Sequence, residues 1–266
     1  MAAIENLMQA SRKVENFFLT KELSNLFAIK DDVESLYMHA EIYDMAYRGN
    51  KGDIDFYKKM AKKGSVLYLG VGTGRIFSKL ININGNIIGI DRSKTMTDMV
   101  KKKFPKVSRS NLIIGDVFSV EFGKERFDTI IAPFSFLTQF DVQKSTKLLG
   151  RIRNWLKKDG IFITDFFSPY KNPVNSDIEI IEKRIEKILI KNFYFYDNKK
   201  RTLDEFTLIR KNKKTYLVEL NLHIFYPEQI KEMSKKSKFR KCQIFSGYNK
   251  EQFSKQNELL VAYFVK

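Results

Sequence analysis

The stretch Val66-Leu-Tyr-Leu-Gly70-Val-Gly72-Thr-Gly74-Arg75 constrains the chain more than any other. An apolar run of strand length passes directly into three glycines at alternating positions, and a helix is expected to begin near Arg75. Glycine lets the backbone turn sharply and lets a ligand approach where a Cβ would otherwise stand. A strand, a glycine turn and a helix in that order form the opening unit of an alternating α/β sheet.

The pattern repeats downstream. Residues 86–90 make a second apolar strand ending at Asp91, followed by a helix through Lys103. Residues 112–114 and 127–132 read as the third and fourth strands. A helix over 142–157, closed by Asp159-Gly160, leads to a fifth strand at 161–165. Short, uniformly apolar runs are what strands buried on both faces look like, so a doubly wound sheet is expected. The alternation then stops. Four runs at 178–184, 188–196, 205–210 and 215–223, separated by charged turns, read as an antiparallel insert. Pro227 opens a helix through Lys236, and runs at 242–246 and 258–265 are expected to pair antiparallel and finish the sheet.

Ahead of this core, residues 4–47 carry apolar stripes at helical spacing. Ile4, Leu7, Met8, Val14, Phe17 and Phe18 form one stripe, and Leu36, Tyr37, Ala40 and Tyr43 lie on one side of a helical piece over 31–47. A short helix is expected at 53–62. The predicted class is α/β, a Rossmann-like seven-stranded mostly parallel sheet with a helical N-terminal extension and an antiparallel β insert. Its divisions are a helical N-terminal cap at 1–47, a ligand-binding core at 48–170, the insert at 171–226, and the last helix and two strands at 227–266.

Composition bounds the partners. The chain is 43% hydrophobic, enough for a sizeable core, which excludes wholesale disorder. Lys and Arg number 48 against 31 Asp and Glu, a net +17 that invites a nucleic-acid reading. The lysines are scattered rather than gathered, and Lys, Asn, Ile and Phe are abundant together, as an AT-rich coding sequence makes them; nucleic acid is therefore not favoured. Lysines 101–103 and the basic stretch 211–214 read as solvated turns. One cysteine, Cys242, excludes an intramolecular disulfide and reads as an inert thiol; two histidines, His39 and His223, exclude a His-rich metal site. No apolar run approaches the ~18 residues of a membrane span. The charged N-terminus lacks the apolar stretch of a signal peptide, so a soluble cytoplasmic protein is expected.

The strand ends carry the chemistry. Asp91, closing the second strand, can accept both hydroxyls of a ribose. Asp116, after Gly115 just past the third, can meet an adenine amino group. Three loops at the carboxyl ends of neighbouring strands thus converge on one adenosine-shaped crevice. The spacing is Gly-x-Gly-x-Gly followed by Arg75, not the dinucleotide Gly-x-Gly-x-x-Gly, and no second mononucleotide-binding half follows. That disfavours NAD.

On these residues the sequence resembles the class I S-adenosylmethionine-dependent methyltransferases, whose first motif is similar to VLDLGxGTGR. The subgroup resembled most includes small-molecule and amino-sugar N-methyltransferases with an antiparallel insert before the last two strands. The resemblance runs from about Glu41 to Lys266. It takes in Ile42-Tyr-Asp44, Gly89-Ile-Asp91-Arg-Ser93 with Met96, Gly115-Asp116, Phe127-Asp128, Pro133-Phe134, residues 156–160, Phe225-Tyr-Pro-Glu228 and Gly247-Tyr248. It implies S-adenosylmethionine as cofactor, with Gly70, Gly72 and Gly74 lining the methionine portion and Asp91 holding the ribose. Arg92 and Met96 would lie beside the adenine, Asp116 and Val117 at its edge, and Pro133 and Phe134 near the sulfonium. Tyr43, Tyr47 and Arg48 match N-terminal residues that close over the cofactor in several relatives.

Two positions depart from the family. Tyr68 stands where it usually has Asp or Glu, and is expected to pack beneath the loop. Gln139 stands where amino-sugar N-methyltransferases tend to place a His, so no base transfers. Tyr43, Tyr47, Gln139 and His223 are candidates for orienting the acceptor. The expected function is methyl transfer to a nitrogen or oxygen of a small molecule, such as a sugar or natural-product intermediate. The rivals are an RNA or protein methyltransferase, for which the chain lacks an Asn/Asp-Pro-Pro-Tyr type motif, and a catalytically degenerate scaffold, suggested by Tyr68. The N-terminal helices and the insert are expected to cover the acceptor pocket, with the insert a candidate homodimer surface. In the insert, Phe193 and Phe195 must face away from Tyr194 and Tyr196.

Overall fold

The computed structural model describes residues 6, 7, 9, 33–35, 40–61, 63–170, 178–185, 188–212 and 214–266. In chain order its strands are β1 Val33–Ser35, β2 Val66–Leu69, β3 Ile87–Asp91, β4 Leu112–Ile114, β5 Phe127–Ala132, β6 Leu156–Phe167, β7 Ile178–Ile185, β8 Ile188–Asp197, β9 Thr202–Lys211, β10 Lys214–His223, β11 Lys241–Ser246 and β12 Leu259–Val265. Its main helices are α1 Ala40–Ala46, α2 Asp53–Met60, α3 Phe77–Ile81, α4 Lys94–Lys103, α5 Val142–Trp155 and α6 Pro227–Lys236. These elements form two compact units, one of residues 49–171 with 224–266, the other of 1–48 with 172–223.

The first unit is built on a seven-stranded sheet of order β11-β12-β6-β5-β2-β3-β4. β2, β3, β4, β5 and β6 pair in parallel, and β12 runs against β6 and β11. Alternate side chains of one strand feed two separate cores. Leu67, Leu69, Ile130, Phe162 and Leu260 pack with Leu148, Ile152 and Trp155 on one face. Val66, Tyr68, Ile131, Ile163 and Val261 pack with Tyr57, Phe77 and Leu80 on the other. Both faces are covered, which is why the strands read as unbroken apolar runs. Tyr68 accordingly lies in the second of these cores, its ring 6.1 Å from that of Phe77. At the end of β6, Phe166 is fully buried and Phe167 is exposed.

The second unit carries a sheet of order β1-β10-β9-β8-β7, whose β7 to β10 form an antiparallel meander. Phe193 and Phe195 are buried while Tyr194 and Tyr196 are half-buried, so the pairs do face opposite ways. Ile42 of α1 joins Ile190, Ile209, Tyr216 and Val218 in a small core of its own.

Three details differ from the sequence reading. Residues 33–35, expected within a helix over 31–47, are extended and pair in parallel with Thr215, Tyr216 and Leu217. Pairing satisfies an edge of β10 that would otherwise stand open, and that gain outweighs a local helical pattern. The helix after the glycine loop starts at Phe77 rather than near Arg75, and the long helix ends at Trp155, where β6 begins directly. Of the N-terminal stripe, Leu7 is buried and helical; Ile4, Met8, Val14, Phe17, Phe18, Leu36, Tyr37 and His39 lie outside the described residues.

Candidate functional site

Because β2, β3, β4 and β5 run parallel, their carboxyl ends open on one edge of the sheet. The glycine loop hangs from that edge: the Gly70 and Val71 amides donate to the Ile90 carbonyl at 2.9 and 3.2 Å. Gly70 and Gly72 sit at φ 72° and 57°, in the left-handed region. Their reasons for being glycine differ. A Cβ on Gly70 would stand 2.6 Å from a Phe136 ring atom, whereas one on Gly72 would meet no atom within 4 Å. Gly70 is required by packing; Gly72 leaves an open approach over the loop.

Asp91 closes the other side of the turn. Its Oδ2 accepts the Gly72 amide at 2.7 Å and its Oδ1 the Ser93 amide at 2.8 Å. A carboxylate has about four lone-pair positions, so each oxygen keeps one for a further donor. Burial pushes the Asp91 carboxyl up, against the pull of the Ser93 and Gly72 amides and the Arg92 charge. Ser93 caps α4 by accepting the Met96 amide, and Met96 is buried while Arg92 is exposed. Past β4, Asp116 stands exposed with Oδ1 accepting the Phe118 amide at 2.7 Å, and Val117 beside it is buried. Asp91 thus ends β3, with Arg92 and Met96 after it, and Asp116 and Val117 follow the end of β4, the two places from which the sequence reading expected a ribose and an adenine to be met.

The turn after β5 is held by a residue the sequence reading passed over. Asp165 of β6 is fully buried. It accepts the Ser135 amide at 2.6 Å, the Phe134 amide at 3.1 Å, the Tyr57 hydroxyl at 2.8 Å and the Tyr248 hydroxyl at 3.0 Å. Burial raises its carboxyl and those four hydrogen bonds oppose the rise. Burial first, and the Asp165 charge next, raise both phenols, so Tyr57 and Tyr248 remain donors. Pro133 is buried and Phe134 half-buried at the start of this turn.

A second buried pair braces the glycine loop. Both guanidinium nitrogens of Arg75 bond the Asp53 carboxylate, Nη1 to Oδ1 at 3.0 Å and Nη2 to Oδ2. Asn50 links the two clusters: its amide donates to Asp53 at 3.1 Å and its side chain to the Tyr248 hydroxyl at 3.2 Å. The carboxylates of Asp53, Asp165 and Asp91 all act on the buried Tyr68 phenol, raising it after burial itself, while Arg75 pulls the other way.

The candidates for the acceptor are spread over both units. Gln139 is exposed at the end of a 3-10 turn, Phe136–Gln139, in the first unit. Tyr43, Tyr47, Arg48 and His223 belong to the second. There the Tyr43 and Tyr47 rings lie 4.5 Å apart, and the Tyr47 hydroxyl donates to Glu205 at 3.2 Å and lies 3.0 Å from the Thr207 hydroxyl. Glu205 is buried, which raises its carboxyl. Asp53, Tyr57, Arg75, Asp165 and Tyr248 are the residues that sequence reasoning missed. One signal was available: Asp165 interrupts an apolar run between Thr164 and Phe166, and a carboxylate in a buried strand must find donors.

Residues 66–160 match the family model described as a methyltransferase domain. Over 127 residues, 47% of its length, the chain is 32% identical to an uncharacterized methyltransferase of Anoxybacillus flavithermus; the match spans 57% of that protein, so the chain covers little more than half of its relative. In fold the chain is similar to an S-adenosylmethionine-dependent methyltransferase from Clostridium acetobutylicum, with a TM-score of 0.73 at 19% identity over 85% of this chain and 97% of that one. An amino pentose methyltransferase from Micromonospora echinaspora, solved with S-adenosylmethionine bound, gives a TM-score of 0.63 at 16% identity over 84% and 96% of the two chains.

Proposed function

We propose that the protein is an S-adenosylmethionine-dependent methyltransferase that methylates a nitrogen or oxygen of a small molecule, of the sugar or natural-product class. The observation that carries this reading is the pairing of the open glycine turn with Asp91. The Gly72 amide and the Asp91 carboxylate are locked together at 2.7 Å, and the carboxylate keeps acceptor capacity for a ribose diol. The helix after the loop spans only Phe77–Ile81, a poor seat for the pyrophosphate of a dinucleotide. The similarity to an amino pentose methyltransferase supports the acceptor class.

The bound cofactor supplies a methyl group already activated by its sulfonium. The chain's own work is to hold and align. Asp91 accepts the ribose hydroxyls, with Arg92 and Met96 beside the adenine and Asp116 and Val117 at its edge. The Gly70, Gly72 and Gly74 backbone follows the methionine portion, and Pro133 and Phe134 wall the reacting end. Alignment of an acceptor in such a site supplies about 7–11 kcal/mol of a displacement barrier. An amine acceptor must arrive neutral, and a hydroxyl must give up its proton. Orientation of the acceptor by Tyr43, Tyr47, Gln139 and His223 is part of the same proposal, as is acceptor selection by the segments outside the alternating core, 1–47 and 171–226.

The test is transfer of labelled methyl from S-adenosylmethionine to a panel of amino sugars, hydroxylated natural products, proteins and RNA. Label on a small amine or alcohol is the expected result. Label on RNA or protein alone would replace the acceptor class, and cofactor binding without turnover on any member would favour a scaffold.

A further inference from the structure

We propose that Asp165 is a positioning residue for the methionine end of the cofactor, acting through the Phe134–Ser135 turn. The proposal rests on the cofactor reading above. Phe134 and Ser135 are consecutive non-glycine residues at φ 63° and 53°. Side chains rarely adopt that conformation, and it persists only where the surroundings over-determine it. The amides of both residues converge on the Asp165 carboxylate, at 3.1 and 2.6 Å, as successive amides converge on a bound anion in a backbone nest. The turn is not shaped by its own side chains: the Ser135 hydroxyl is buried without a hydrogen-bond partner among the described residues, a further cost of the conformation.

Where the turn lies gives the clamp its consequence. It follows β5, the neighbour of β2 in the sheet, and its next residue, Phe136, rests against Gly70 of the glycine loop. A shift of the turn therefore moves the wall beside the loop that would carry the methionine portion, but leaves Asp91 and Asp116 alone. Asp165 cannot act on a ligand directly, since it is fully buried and saturated by four donors. The Tyr248 hydroxyl and Asn50 carry the same network on to the Asp53–Arg75 pair, so both sides of the crevice share one buried polar support.

The experiment is calorimetric titration of the full chain and its Asp165→Asn variant with two ligands. One is S-adenosylhomocysteine; the other is methylthioadenosine, which has the same nucleoside but no amino-acid portion. Asn keeps the shape but turns a donor toward one of the turn's two amides, so affinity for S-adenosylhomocysteine should fall about tenfold or more, with methylthioadenosine unchanged. Equal weakening of both ligands would mean a merely structural role, and no weakening of either would also overturn the proposal. Should Asp165→Asn not fold, Tyr57→Phe and Tyr248→Phe each remove one donor, and each should show a smaller loss confined to S-adenosylhomocysteine; parallel losses again overturn it. Failure of the wild-type chain to bind S-adenosylhomocysteine at all would instead sink the underlying cofactor reading.

Discussion

Replacing Arg75 by methionine removes a charge from a buried pair while keeping most of the side-chain volume. Asp53 is 3% exposed, and without the guanidinium its carboxylate retains the Asn50 amide as its hydrogen-bond donor. Breaking a buried ion pair from one side costs about 3–5 kcal/mol. The Arg75 side chain is 28% exposed, so water can partly replace it, and about 2–4 kcal/mol is the expectation here. At about 2–4 °C per kcal/mol for a chain of this size, the Tm should drop by about 5–15 °C. Asp53→Leu alone strands the guanidinium and should also destabilise. The double variant Arg75→Met, Asp53→Leu leaves no orphaned charge and should be clearly more stable than the sum of the singles implies. Thermal and denaturant unfolding of the four proteins form the double-mutant cycle. Additivity within about 0.5 kcal/mol would mean that the pair is not coupled, and the picture of a braced glycine loop would fall with it.

The two glycines of the loop should respond differently to alanine. Gly70→Ala adds a methyl into the Phe136 ring at a left-handed φ and should cost about 2–5 kcal/mol of stability, whereas Gly72→Ala should cost about 1–2 kcal/mol but weaken S-adenosylhomocysteine binding out of proportion; thermal unfolding with calorimetry checks the ranking, and the reverse order would contradict it. Asp128 is held at about 2 by the Lys157 ammonium first and by the Ser65 amide and hydroxyl next, against an ordinary 3.8. Its folded form releases the proton at lower pH than the unfolded chain, so its stabilisation is present above 3.8 and lost as the pH falls through about 2; Asp128→Asn should flatten the acid limb of the unfolding profile in that window. Burial pushes the Cys242 thiol up to about 11, so alkylation by iodoacetamide should be slow at pH 7 and accelerate as the pH approaches that value.

The sheet was legible because its strands are buried on both faces, and a run such as Val66–Leu69 or Phe127–Ala132 has no other reading in an alternating chain. The same burial explained Tyr68, which stands where the structure needs a core side chain. Pairing across distance was not legible. Val33–Ser35 is extended only because β10 offers it an edge, and nothing local in those three residues says so. The Asp53–Arg75 pair likewise joins positions whose neighbourhood the fold alone decides. Asp165 was half legible: its place in an apolar strand demanded donors, but the amides that answer belong to a left-handed turn for which Phe134-Ser135, lacking glycine, gives no sign.

The most direct test of the account is calorimetric titration of the wild-type chain and its Asp91→Ala variant with S-adenosylhomocysteine. The account predicts one binding site per chain in the wild type and an affinity lowered about 10- to 100-fold in the variant, as the ribose loses a charged acceptor and the Gly72 amide its partner. No heat with S-adenosylhomocysteine, together with binding of NAD, would contradict it.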